Sequence, residues 1–220
     1  MDMSYWLLIG ATLLIGFGVQ GYVTKQLKKY SRVPMVSKMT GVEVAQRMLS
    51  YYGISDVVVK RGRAGQDHYN PRTRSISLDP EVYDGTSITA TATACHEVGH
   101  ACQHAQKYAP MVIRSAIVPA VNIASNTWMF LFFMGLALGF AGFVDLAIIM
   151  YALAVLFQIV TLPVEFNASR RAMTYMDETG LLRSEQSGAW SVLRACALTY
   201  VAAALTSILQ LLWLLGQRDS

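Results

Sequence analysis

Residues 93–106 read TACHEVGHACQHAQ and hold three of the chain's four histidines, at His96, His100 and His104. On an α-helix, residues four positions apart lie on one face and are separated by a rise of about 6 Å. The imidazoles of His96 and His100 can therefore converge on a single cation, and imidazole nitrogen is a common ligand of Zn²⁺. The spacing predicts a helix that contributes two zinc ligands.

Glu97 directly follows the first of these histidines, which completes the pattern HExxH. A carboxylate at this position can reach a water molecule at the metal and accept its proton during attack on a peptide carbonyl. The pattern predicts peptide hydrolysis with Glu97 as the general base. The other interpretation is a polar patch on an exposed helix.

The preceding stretch ITATATA, residues 88–94, is small and uncharged. Its alternation is also compatible with a strand. Ser87 or Thr86 can cap a helix there, which favours a buried helix that leads into the histidines.

A catalytic zinc ion has three protein ligands and one open position. His104 would lie about 12 Å beyond His96 on a continuous helix, so we expect it to play a structural or supporting role. Glu165, in LPVEFNASRRA at residues 162–172, is the first carboxylate after a long apolar run. It is either the third ligand or an interfacial glutamate that caps a helix after Pro163.

The composition indicates an integral membrane protein. Hydrophobic residues make up 54% of the chain and charged residues 15%, whereas soluble domains carry about 25% charged residues. The net charge is only +4, and no basic stripe with interleaved aromatic residues indicates nucleic-acid binding. The three cysteines have no disulfide or CxxC spacing, so we expect reduced thiols.

Four apolar stretches are candidate membrane spans: residues 5–24, a helical hairpin of about 127–140 (or from near 117) and 146–162, and residues 197–215. Asp2 precedes the first span and Lys25, Lys28 and Lys29 follow it, which predicts an N-terminus outside the cell. A hairpin returns the chain to the side that it left. Residues 163–196 should therefore meet residues 25–115 on the cytoplasmic face.

Between the first span and the hairpin the sequence predicts a small α+β lobe. Thr40 and Glu43 form a capping-box pattern, the helix that follows stops at Gly53, and residues 57–60 and 74–78 have strand character. The predicted division of the chain is a 1–24 anchor, a 25–115 zincin-like lobe, a 116–162 hairpin, a 163–196 cytoplasmic segment and a 197–220 final span with its tail. The predicted fold is a mainly α integral membrane protein with about four transmembrane helices and this α+β lobe.

Several blocks together resemble the YugP-like membrane zinc metallopeptidases, which are similar in logic to the gluzincin-type HtpX and CAAX-processing proteases. The blocks are KKYSRVP at 28–34, DHYNPRTRSISL at 67–78, HEVGHACQHAQKYAP at 96–110 and LPVEFNASRRA at 162–172. The resemblance covers nearly the whole chain.

The resemblance implies that His96, His100 and Glu165 bind zinc and that Glu97 is the general base, at a site that faces the cytoplasm of a bacterium. The comparison also shows one difference between this chain and the HtpX-type pattern. The HtpX-type pattern has an aspartate four residues after the glutamate ligand, whereas this chain has Ser169. Asn167 or another group would then have to support the zinc-binding histidine.

On the substrate side, the strand at Ser75–Leu78 is the predicted edge along which a peptide would pair. His68 is the first candidate for the residue that stabilises the oxyanion, and Arg171 is the second. Asn122 and Asn126 lie in an apolar stretch, where hydrogen bonds between helices would explain them.

The sequence therefore predicts a multi-pass zinc endopeptidase of the bacterial inner (cell) membrane that acts on membrane or membrane-proximal polypeptides. The alternative is a zinc-binding scaffold or adaptor, which a fourth protein ligand such as His68 or His104 would favour. A small transporter or channel component is disfavoured, because the spans lack charges apart from Asp145, which we expect in a turn. A membrane-protein partner and self-association both stay open.

Overall fold

The structure is a computed structural model that describes residues 3–180 and 182–218. The described chain is mainly helical and contains a small three-stranded sheet. The helices are α1 (Met3–Tyr30), α2 (Gly41–Tyr51), α3 (Pro80–Tyr83), α4 (Ile88–Ala105), α5 (Ala109–Leu138), α6 (Ala141–Glu178) and α7 (Arg183–Arg218). The strands are β1 (Val58–Arg61), β2 (His68–Asn70) and β3 (Ser75–Leu78).

Helices α1, α5, α6 and α7 are long and apolar enough to cross a membrane, which confirms the four predicted candidate spans. Each helix extends beyond its apolar run. Helices α5 and α6 form the predicted hairpin around Gly139, whose φ of 62° suits glycine. Asp145 lies inside α6 rather than in this turn. Asp2, on which the predicted orientation partly depends, lies outside the described residues.

The four long helices pack side by side in the spatial order α5, α6, α7, α1. The rings of Tyr5 and Trp213 are 4.8 Å apart, and those of Phe132 and Trp213 are 6.2 Å apart. The start of α1, the end of α7 and the last part of α5 therefore meet at one end of the bundle. The opposite end carries the lobe.

Helix α4 forms the centre of the lobe. The Ser87 hydroxyl accepts a hydrogen bond from the Ala90 amide at 3.2 Å, so residues 88–94 are helical rather than a strand. Its small residues let α2, the sheet, α6 and α7 pack closely around it. Cys95 and Cys102 are buried on this helix as free thiols.

The helix α2 confirms the predicted signals at both of its ends. Thr40 accepts a hydrogen bond from the Glu43 amide, and the Glu43 carboxylate accepts one from the Thr40 amide at 2.7 Å. Gly53 follows the helix with a φ of 67°. These local signals set the two ends of α2, which packs against α4.

The prediction that Ser75–Leu78 is a sheet edge was wrong. The strand order is β1-β3-β2, with β3 parallel to β1 and antiparallel to β2. All four residues of β3 are buried, and an alternating sequence does not reveal whether a strand has one neighbour or two. The edge that contacts α4 is β2.

Helices α4 and α6 cross at Gly99. A Cβ atom on Gly99 would lie 2.6 Å from the carbonyl oxygen of Ala168. The two backbones are therefore as close as a residue without a side chain permits. This close approach brings the part of α6 that carries Glu165 against the histidine face of α4.

We expect Gly99→Ala to lower the midpoint of thermal unfolding of the detergent-solubilised protein. The added methyl group must displace backbone, which typically costs about 1–3 kcal/mol. Gly21→Ala in α1 is the matched control, because its Cβ would meet no heavy atom within 4 Å. Equal unfolding midpoints for the two variants would contradict the assigned contact.

Candidate metal centre

His96, His100 and Glu165 converge in the structure, and their ligand atoms all lie within 4.8 Å of one another. The Glu165 Oε2 atom is 3.2 Å from His96 Nε2 and 3.5 Å from His100 Nε2. Tetrahedral Zn²⁺ with bonds of about 2.0–2.1 Å separates its ligands by about 3.4 Å. The spacing of these donors therefore fits a zinc ion.

The hydrogen bonds of the two imidazoles indicate which nitrogen is available to a metal. His96 Nδ1 is 3.2 Å from the Ser169 hydroxyl, and His100 Nδ1 is 3.0 Å from Gln103 Oε1. With Nδ1 held in this way, the Nε2 lone pairs point at Glu165. Three electron-pair donors that face each other can share one cation, so the donor set fits zinc.

Gln103 is the residue that orients His100. Its amide nitrogen donates to the carbonyl of Val164 at 2.7 Å and to Asn167 Oδ1 at 3.0 Å, so its oxygen must face the imidazole. The side chain is fully buried. Asn167 also accepts from Arg171 Nε at 2.7 Å. These hydrogen bonds link α4 to α6.

This chain has Ser169 where the HtpX-type pattern has an aspartate, and two residues provide support for the histidines in the structure. Ser169 itself contacts His96, whereas Asn167 acts on the His100 side through Gln103. Gln103 was not predicted from the sequence as a site residue. Its position three residues after His100, on the same helix face, was the available signal.

Glu165 is 2% exposed, and an isolated carboxylate at such a position is costly. Arg114 of α5 places Nη1 3.9 Å from Glu165 Oε1 and packs over the ring of Phe157. Arg114 was likewise not predicted from the sequence as a site residue. It is the only charged residue between Lys107 and Asp145, which was a signal in its own right.

The pKa values of His100, in the cluster, and of Asp67, in the lobe, are both shifted. Burial alone lowers the pKa of His100, but hydrogen bonding to Glu165 and the charge of Glu97 outweigh it, so the pKa is raised. Burial raises the pKa of Asp67 to about 6, and the charge of Glu97 contributes in the same direction. A metal ion at this centre would therefore compete with a proton for His100.

Glu97 and His96 line a cleft of about 510 Å³ between the end of α1, the start of α4 and α7. Asp67 borders the cleft next to the edge strand β2. The cleft is open on the side of the cluster that carries Glu97. A chain segment that enters it would therefore reach Glu97 and His96 together.

Tyr200 lines the same cleft from α7 and was not predicted as a site residue. Its hydroxyl makes no hydrogen bond to any residue that the structure describes. Its sequence position, a single tyrosine in an apolar run, offered only a weak signal. Tyr200 can thus donate a hydrogen bond to a group that binds beside Glu97.

The remaining predicted residues lie around the cluster. His68 is exposed on β2, with Nδ1 3.3 Å from the Gln66 carbonyl. His104 Nδ1 is 2.7 Å from the Tyr69 hydroxyl. Among the described residues, neither histidine contacts the cluster, and Arg171 reaches it only through Asn167 and Gln103. The described cluster therefore offers three candidate ligands to a metal ion.

Whole-chain comparisons point to the same chemistry. Residues 5–218 match the model of a family described as "Putative neutral zinc metallopeptidase". The "Putative membrane protease YugP" of Bacillus subtilis (strain 168) is 45% identical over 212 residues, which cover 96% of this chain and 94% of the relative. No solved structure matches the chain. The resemblance drawn from the sequence blocks is confirmed.

We expect Gln103→Leu to weaken zinc binding by about 10- to 100-fold, because His100 loses the group that orients it. His104→Ala is the control and should leave the affinity unchanged, since His104 bonds to Tyr69 outside the cluster. Competition with a chromogenic chelator measures both affinities. Equal affinity for wild type and Gln103→Leu would exclude the assigned support.

Proposed function

Because the chain belongs to this zinc metallopeptidase family, we propose that it is a membrane-embedded zinc endopeptidase that cleaves membrane or membrane-proximal polypeptides. One observation carries the proposal: the three ligand atoms converge beside a cleft that Glu97 also lines. A centre with three protein ligands and an accessible side suits catalysis.

His96, His100 and Glu165 would hold the metal. When bound, Zn²⁺ would supply positive charge that makes a water molecule more acidic and polarises the substrate carbonyl. Glu97 would accept the proton of the attacking water and pass it to the leaving amine. Glu97 is 7% exposed, so its charge acts in a surrounding of low polarity.

We propose that the Tyr200 hydroxyl donates the hydrogen bond that stabilises the oxyanion. This hydroxyl borders the cleft beside Glu97 and has no other described partner. A fixed donor aimed at developing negative charge lowers the barrier for acyl transfer. His68 and Arg171, the residues predicted from the sequence, remain alternatives for the same role.

The length of α6 supports a site close to the membrane surface. From Ala141 to Glu165 the helix rises by about 36 Å, whereas the hydrocarbon core of a bilayer is about 30 Å thick. The cleft walls include the last part of α1 and the first half of α7. A polypeptide that emerges from the bilayer would therefore enter the cleft directly.

Basic residues support a cytoplasmic site in the bacterial inner (cell) membrane with the N-terminus outside. Lys28 and Lys29 end α1, and Arg183 and Arg194 lie in the first part of α7, at the end of the bundle that carries the centre. Positive charge at span ends favours the cytoplasmic side.

The edge strand β2 would guide the substrate. Extended peptides add to sheet edges through backbone hydrogen bonds, and β2 is the edge that contacts α4. This assignment replaces the one predicted for β3. A structural zinc site in a scaffold protein would be favoured by a fourth protein ligand, and the described cluster contains three.

Purified wild type should contain about one zinc ion per chain and cleave unfolded casein. Glu165→Ala should lose the zinc, because two imidazoles alone bind it weakly. Glu97→Gln should keep the zinc and lose cleavage, since an amide cannot accept the proton. Elemental analysis and a fluorescent casein assay measure the two properties.

Full zinc in Glu165→Ala would refute the third ligand. Full cleavage by Glu97→Gln would refute the general base. Zinc-loaded wild type that cleaves neither casein nor a library of membrane-derived peptides would contradict the peptidase proposal.

Tyr200→Phe should lower kcat by about 10²-fold with little change in KM or zinc content, as expected for a donor that acts mainly in the transition state. His68→Ala and Arg171→Leu are compared under the same conditions. If either of them lowers kcat as strongly while Tyr200→Phe does not, the oxyanion role belongs to that residue.

A further inference from the structure

The outward face of α5 carries two asparagines, Asn122 and Asn126, that the proposed catalysis does not use. The sequence suggested that they form hydrogen bonds between helices. In the structure both side chains are exposed on the surface of the protomer. The one hydrogen bond described for their carboxamides stays within α5, from Asn126 Nδ2 to the Asn122 carbonyl at 2.7 Å.

Both asparagines lie at depths that belong to the hydrocarbon core. Along α5, Asn126 is about 18 Å and Asn122 about 24 Å from Leu138, where the hairpin turns. The hydrocarbon core is about 30 Å thick. An asparagine side chain is too short to reach either surface from these depths. The two carboxamides therefore face the interior of the bilayer.

Helix geometry places the asparagines opposite the packed side of α5. Beyond Met111, the buried residues of α5 are Val121, Ala124, Leu131, Phe132 and Gly135. The asparagines belong to a row of exposed residues at alternating spacings of four and three, here called the α5 stripe: Ser115, Pro119, Asn122, Asn126, Met129 and Phe133. This spacing is that of a helix–helix seam.

The carboxamide oxygens of Asn122 and Asn126 accept no hydrogen bond from any described residue. Hydrocarbon chains cannot donate one, and burial of an unpaired amide in such a medium is unfavourable. Polar residues within spans almost always face a protein partner or a water-filled cavity for this reason. The α5 stripe therefore requires a polar partner at the same depth.

We propose that the α5 stripe is the interface of a homodimer. Copies of a membrane protein share one orientation, so a two-fold axis along the membrane normal sets the two α5 helices parallel. Each asparagine then meets its own counterpart at equal depth. A carboxamide both donates and accepts, so two identical ones satisfy each other. A second copy supplies this match automatically, whereas another protein would need a polar group at the same height.

Cysteine cross-linking of the full-length protein in proteoliposomes tests the interface. In a Cys196→Ser background, Met129→Cys lies on the α5 stripe. Ile149→Cys is the matched control, because it is 66% exposed on α6. We expect mild oxidation to give dimers of Met129→Cys and none of Ile149→Cys.

The role of the carboxamides is tested by adding Asn122→Leu and Asn126→Leu to the Met129→Cys protein. Association at high lipid dilution should weaken about tenfold. Thr127→Val is the control and should not change it, because the Thr127 hydroxyl already bonds to the Ile123 carbonyl within α5. Size-exclusion profiles verify that each variant is folded.

Three outcomes would overturn the proposal. The first is equal cross-linking at positions 129 and 149, which indicates random collision or a monomer. The second is unchanged dimerisation after both asparagines are removed. The third is a Met129→Cys adduct in native membranes with a different protein and no dimer, which assigns the stripe to another membrane protein.

Discussion

The contact between Glu165 and the two histidines across the α4–α6 crossing is the interaction on which the rest of the site depends. A carboxylate that is 2% exposed needs nearby positive charge to be tolerated. Arg114 supplies some of this charge from α5, and a metal between Glu165, His96 and His100 would supply the remainder. This arrangement depends on three long-range features of the fold. They are the close crossing at Gly99, the continuous helix α6 and the contact that α5 makes through Arg114.

The supporting groups come from the same two helices as the ligands. Ser169 of α6 contacts His96 of α4, and Gln103 of α4 contacts His100 and two groups of α6. Each helix therefore orients residues on the other. A movement of α6 relative to α4 would disturb the ligands and their supports together, which couples the integrity of the site to helix packing.

The lobe and the bundle of long helices share one hydrophobic core. The apolar core around α4 includes Ala172, Tyr175 and Met176 of α6 and Ala189, Val192 and Leu193 of α7. The lobe thus completes its core with the extended ends of two candidate spans. This sharing agrees with a family match that covers residues 5–218 as a whole. The cleft lies where the lobe meets α1 and α7, and under the proposed function a chain leaving the bilayer would meet Glu97 there.

Local patterns were enough to predict the HEVGH helix with its Ser87 cap, the α2 capping box, the four candidate spans and the hairpin of α5 and α6, but they placed Asp145 in its turn rather than in α6. These features depend on helix periodicity, capping and apolar length, which operate within a few turns of chain. The meeting of Glu165 with His96 and His100 followed from span counting and resemblance, without geometry. The central place of β3, the roles of Gln103 and Arg114, the position of Tyr200 and the outward direction of Asn122 and Asn126 appeared only in the folded chain. Each of these depends on which distant segment packs alongside, and no short sequence pattern records that choice.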